Sequence, residues 1–209
     1  MKYTNKQNLP QQFVDFAESD PHECKDGEYS VTELLKPVRE IVLSRRYADR
    51  IEKDVADCVP ALLGSAVHAI FERYTRPGAI AEFQCFAKVG EAKITGRIDL
   101  LDPAAGMIED YKTCSVSKVM KADFEDWRKQ VLMYAWLFTE MLGPPIRTVK
   151  IHAIMKDWSK VKAENSPDYP NSAIFEWEYR VSDSDYDYIE GWIRKRLAAI
   201  AEGETDLPD

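Results

Sequence analysis

Cysteine is scarce and dispersed: Cys24, Cys58, Cys85 and Cys114 are spread over 209 residues, with no Cys-x-x-Cys pair and none after Cys114. That spacing signals neither a zinc ribbon nor a redox dithiol, and reduced, mostly buried thiols are the expectation. No apolar run is seen to approach the ~20 residues that cross a bilayer. The first ten residues lack the apolar centre of a secretory signal, so a cytoplasmic protein without membrane contact is expected, in a bacterial or phage-infected cell. There is no Gly-x-x-x-x-Gly-Lys-Ser/Thr loop and hence no nucleotide-driven motor. A hydrolase built on Cys114 or a serine with His68 or His152 finds no nucleophile elbow or Cys/His signature to support it. Basic excess is missing too. Lysine and arginine number 28 against 36 acidic residues, a net charge of −8, which argues against broad coating of a polyanion. Basic residues do cluster, as Lys36, Arg39, Arg45, Arg46, Arg50 and Lys53, and again as Lys112, Lys118, Lys121, Arg128 and Lys129. A solvated helix face and a lining for nucleic acid both fit such runs.

What is present describes an ordinary folded chain, 45% hydrophobic and 31% charged, long enough for one domain with a sizeable core. Residues 1–28 read as a polar extension with a short helix near 11–18. In it, His22 and Cys24 lack a second pair to complete a tetrahedral metal site. Residues 29–209 read as a single α/β domain with helices on both sides of a mixed sheet. The pattern predicts helix over 31–53 with a break at Pro37. A second helix, 60–74, would bury a stripe of Leu63, Val67, Ile70, Phe71 and Tyr74 and approach a sheet closely at Gly64. Strands 81–89 and 92–101 form a hairpin about Gly90-Glu91, and a third strand carries Asp110. Helix 123–142, strands 149–156 and 173–180, and a last helix 183–201 follow.

The chemistry concentrates in Gly96-Arg-Ile-Asp99-Leu-Leu101 and Ile108-Glu-Asp110-Tyr-Lys112-Thr113. Strand side chains alternate, so Asp110 and Lys112 share a face while Glu109 and Tyr111 point away. Two carboxylates from neighbouring strands beside an ammonium suit a magnesium ion and an activated water, the chemistry of phosphodiester cleavage. A structural salt bridge at a strand end is the other reading. His68 lies one turn from Gly64, and Gln130 one turn from Tyr134.

This ordered series, Gly64 and His68, Gly96 and Asp99, Asp110 and Lys112, Gln130 and Tyr134, resembles the RecB-like branch of the PD-(D/E)XK nucleases. That branch includes phage exonucleases similar to lambda exonuclease. The resemblance implies a restriction-endonuclease-like core and a metal-dependent DNA exonuclease acting on linear ends in recombination, repair or phage DNA metabolism. It implies Mg2+ or Mn2+ held by Asp99, Asp110, the Tyr111 carbonyl and His68, with Lys112 positioning water. Gln130 and Tyr134 would bond near the lysine or the DNA backbone. Glu82 sits where some relatives place a further acidic ligand, though a solvent-facing strand glutamate is equally compatible. Arg97 could touch phosphate or simply pair with a carboxylate. No iron–sulfur cluster is expected, since no late cysteine trio exists. A single-strand annealing or recombination protein and a homo-oligomer are partners by analogy. A non-catalytic DNA-binding or assembly module that kept the fold is the alternative; it would predict loss of Asp110 or Lys112, and both are present.

Overall fold

Side chains that alternate in burial along residues 80–102 organise the protein around one long hairpin. The computed structural model describes residues 2–19 and 25–203, so the reading of His22 and Cys24 lies outside the described residues. In chain order the elements are β1 (Lys2–Thr4), α1 (Gln11–Glu18), β2 (Glu28–Ser30), α2 (Val31–Leu34), α3 (Val38–Arg46), β3 (Glu52–Asp54), α4 (Val59–Arg73), β4 (Ile80–Val89), β5 (Ala92–Asp102), β6 (Met107–Cys114), α5 (Val116–Lys121), α6 (Glu125–Leu142), β7 (Thr148–Met155), α7 (Lys160–Asn165), β8 (Ile174–Arg180) and α8 (Asp183–Glu202). The fold is α/β, a mixed central sheet flanked by helices.

Strand β5 is the hinge of the sheet. Along one edge it pairs antiparallel with β4 from Val89↔Ala92 to Ile80↔Leu101. Its other edge is shared: β2 runs parallel to residues 93–95, and β6 runs antiparallel only from Leu100↔Glu109 to Asp102↔Met107. Strand β6 then leaves β5 and continues parallel to β7, which pairs with β8. Residues 96–99 therefore have no ladder partner on that edge, and the sheet forks there.

Helix α6 fills the space behind the fork. Its side chains from Gln130 to Phe138 are all buried, and each fully buried aliphatic contributes about 1.5–3 kcal/mol. The helix comes close because residue 96 is glycine. A Cβ there would stand 2.9 Å from Leu137 Cδ1 and 3.0 Å from Tyr134 Cδ1, inside the contact limit of a close-packed interior. Gly96→Ala is expected to destabilise the protein by about 1–3 kcal/mol, measured as a lower urea midpoint. Helix α8 starts with a capping box formed by Ser182 and Asp185, and Asp185 takes Arg128 of α6 at 2.7 Å. The α8 cap and α6 are thereby joined.

Several expectations are corrected. The helix expected over 31–53 ends at Arg46, and residues 52–54 form a strand that pairs with Lys2–Thr4 in a separate small sheet. Helix α4 buries none of its residues. Leu63, Ile70 and Tyr74 are 42%, 53% and 80% exposed, and nothing lies within 4 Å of a Cβ at Gly64. An 18-residue window within Val55–Arg73 reaches a mean hydropathy of 1.3, enough by length and composition alone to cross a membrane. One contact that fastens the helix is aromatic: Phe71 stacks on Tyr111 of β6, centroids 4.4 Å apart. One turn earlier on that flank is His68.

Candidate active site

Where β5 and β6 part, side chains and backbone take over from the ladder. Asp99 turns into the fork and accepts a hydrogen bond from the Tyr111 backbone N–H at 2.8 Å through Oδ2. That satisfies a donor the diverging strands would leave orphaned. Its Oδ1 lies 3.2 Å from His68 Nδ1. The other imidazole nitrogen, Nε2, sits 3.1 Å from the Tyr111 carbonyl oxygen. His68 thus bridges two of the oxygens, Asp99 Oδ1 and the Tyr111 carbonyl, that the resemblance assigns to a cation.

Glu82 completes the group. It stands across from Asp99 in the hairpin register, between the pairs Ala81↔Leu100 and Phe83↔Ile98. Its carboxylate is 3.8 Å from His68 Nδ1 and 2.7 Å from Arg97 Nε. Its φ is +52°, a left-handed conformation that costs a non-glycine residue about 1–2 kcal/mol. The strain falls on the residue that meets the histidine, as strain at functional positions often does. Ligand atoms of His68, Glu82 and Asp99 all lie within 4.8 Å of one another. Hydrogen bonds donated by the imidazolium to Asp99 and Glu82 hold the His68 pKa up at about 10 against the opposing effect of burial.

Asp110 and Lys112 stand beside this trio, facing the same way from β6 as alternation requires. Asp110 is 1% exposed, and burial pushes its carboxyl upward, opposed by the Lys112 charge. Lys112 Nζ donates to Asp110 Oδ1 at 3.1 Å and to Gln130 Oε1 at 2.8 Å. It also lies 2.8 Å from Asp110 Oδ2, yet no donor is aligned on that buried oxygen; the contact is charge attraction without a formed hydrogen bond. Gln130 donates to Tyr134 Oη at 3.0 Å. Tyr134 is 5% exposed. Its hydroxyl braces Gln130 beside the lysine, and Tyr134 lines the same cavity as Lys112. Glu109 points away, held by Arg76 at 2.8 Å and His152 at 2.9 Å.

An open cavity of about 560 Å³ spans the fork, lined by His68, Asp99, Asp110, Lys112 and Gln130 and extending over the hairpin to Phe86 and Lys93. A second, about 350 Å³, lies across His68, between Gly64 and Glu82. Hard carboxylates, one imidazole and a backbone carbonyl form a donor set suited to Mg2+ or Mn2+. The buried Asp110 oxygen with no aligned donor fits a nearby cation. Glu82 is the member that sequence reasoning placed only loosely.

The model of the PD-(D/E)XK nuclease superfamily matches residues 76–208, and the chain belongs to that superfamily. The matched stretch includes Glu82, Asp99, Asp110, Lys112 and Gln130; His68 precedes it. Among solved structures, SSO0001 is similar over 90% of this chain and 82% of its own, at 18% identity and a TM-score of 0.61. An alkaline exonuclease from Laribacter hongkongensis, LHK-Exo, is similar over 85% of this chain and 90% of its own, at 13% identity and a TM-score of 0.51. Its complex with dAMP gives 0.52 at the same identity and coverage. No curated protein matches the chain in sequence.

Proposed function

We propose that the protein is a divalent-metal-dependent deoxyribonuclease, an exonuclease that hydrolyses phosphodiester bonds from DNA ends. The observation that carries this reading is the placement of Lys112, fixed by Asp110 and Gln130, in one open cavity with His68 and Asp99, two members of the His68–Glu82–Asp99 cluster. The exonuclease that shares this fold, in complex with dAMP, supports a deoxynucleotide substrate. Asp99, Glu82, Asp110, His68 and the Tyr111 carbonyl would hold the cation. When bound, it polarises the scissile phosphate and lowers the pKa of a coordinated water.

The chain's own groups do the rest. An ammonium carries three donors. Asp110 and Gln130 take two of Lys112's, leaving one to orient the attacking water and offset negative charge on the phosphate. Gln130, held by Tyr134, sets the direction of that amine. Asp99, tied to the Tyr111 N–H through Oδ2, keeps Oδ1 turned towards His68. Arg97, 50% exposed at the side chain and paired with Glu82, can swing to a phosphate without leaving the cavity wall.

The test is incubation of end-labelled linear duplex, linear single strands and closed circular DNA with Mg2+ or Mn2+. Linear DNA should shorten from its ends, EDTA should stop it, and Asp110→Ala should be inactive. Circles cut as fast as linear DNA would remove the exonuclease assignment. No cleavage of any substrate with either metal would remove the nuclease.

A further inference from the structure

From the cavity's outer half, we infer that Phe86 is a base-stacking platform that receives an unpaired stretch of the DNA strand beside the scissile bond. This rests on the nuclease reading of the same cavity. Phenylalanine in the middle of a strand is normally buried, and the inward neighbours Cys85 and Ala87 are 2% and 8% exposed; Phe86 is 50% exposed. It lines the one cavity that also holds Asp99, Asp110 and Lys112.

The register fixes what surrounds the ring. Phe86 faces Thr95 across the hairpin, Gln84 faces Arg97, and Lys88 faces Lys93. These six side chains share one face of the two strands, with Glu82 and Asp99 at its inner end. Lys93 Nζ, paired with Glu28 at 3.0 Å, lies over one side of the Phe86 ring, 5.4 Å from its centroid, and a base displaces it or takes the other side. One flat apolar ring among an amide, a hydroxyl and cations is not the contiguous apolar patch that a protein partner covers. It has the make-up of single-strand sites, where an aromatic face takes a base and cations follow the phosphates. In a chain of net charge −8, this strip is a place where a polyanion meets cations next to the cutting site.

Geometry also decides the form of the strand. In an intact duplex both faces of each internal base are covered by neighbours, so the ring can stack only on a base that has left the duplex. From Asp99 to Thr95 is four residues of strand, about 14 Å at 3.4 Å per residue. That distance is about four nucleotides at the duplex rise, and fewer when the strand is drawn out. The platform is therefore set two to four nucleotides from the bond being cut.

The experiment measures binding without cleavage. Fluorescein-labelled 12-nucleotide single strands in EDTA are titrated with the parent, Phe86→Ala and Phe86→Tyr, and a single abasic residue is moved along the strand. Phe86→Ala should weaken binding about 5- to 100-fold, the equivalent of one base–aromatic stack, and Phe86→Tyr should restore it. At one abasic position the parent should lose the same factor, and there Phe86→Ala should add nothing further, because both changes remove the same contact. Unaltered affinity in a folded Phe86→Ala (checked by its melting temperature), or equal losses on every abasic strand, would overturn the inference. Phe86-dependent binding by a protein that cuts no DNA would sink the nuclease reading alone; cleavage by a parent whose binding ignores Phe86 would sink the platform alone.

Discussion

Replacing Lys112 with methionine should lower kcat for DNA hydrolysis by about 10²–10³-fold, the usual effect of deleting one donor aimed at developing charge. KM should change little if the amine acts on charge that develops only in the transition state. The same substitution strips Asp110 of its ion pair. A buried pair broken on one side typically costs about 3–5 kcal/mol. Burial already pushes the Asp110 carboxyl upward, so without the lysine it takes a proton more readily, and the variant should recover stability as pH is lowered from 8 towards 5. The double variant Asp110→Asn, Lys112→Met removes both charges and should regain stability with no return of activity. Single-turnover kinetics and denaturant melts separate these outcomes. A Lys112→Met enzyme with parental kcat would remove the amine from the reaction altogether.

Residues that depend on local periodicity were legible in the sequence. The fold follows from alternation and turn signals: the Gly90-Glu91 hairpin, the Asp110 strand and the long central helix stand where their patterns put them, and Asp110 and Lys112 share a face because the strand period is two. Gln130 meets the lysine because both line the sheet–helix interface. What local pattern could not supply was the fork. That β6 pairs with β5 for three residues only is a property of the whole sheet, and it is what opens room for His68 between Asp99 and the Tyr111 carbonyl. Glu82 was within reach: a two-residue turn at 90–91 sets it opposite Asp99 by counting. Its left-handed backbone was not, because φ +52° at a glutamate contradicts the propensity that sequence reading relies on. Helix α4 misled for a related reason. Its apolar residues run round most of its circumference, so amphipathic reasoning had no polar side by which to choose the buried one, and the structure anchors it through Phe71 while Ile70 and Tyr74 face solvent.

Uptake of the cation should release a proton. In the metal-free protein, Asp99 and Glu82 keep His68 protonated, with its pKa up at about 10, so the imidazolium holds the two facing carboxylates together. A cation needs the Nδ1 lone pair and must displace that proton. Apparent affinity for Mn2+ should therefore rise about tenfold per pH unit between pH 6 and 9, all below the folded-state pKa, and level off above it. The stability linkage has the opposite slope. A histidine whose pKa is raised by folding stabilises fully below its unfolded value of 6.5 and loses that contribution as pH climbs through about 10. Metal-free protein should melt progressively lower across that window, while protein saturated with Mn2+ should not, because the metal takes over the imidazolium's place between the carboxylates. Titration calorimetry in two buffers of different ionisation enthalpy counts the released proton directly, and His68→Asn should abolish both the count and the slope. A cation that binds the parent with no proton release would mean that His68 stays outside the coordination sphere, leaving Glu82, Asp99, Asp110 and the Tyr111 carbonyl to hold the metal.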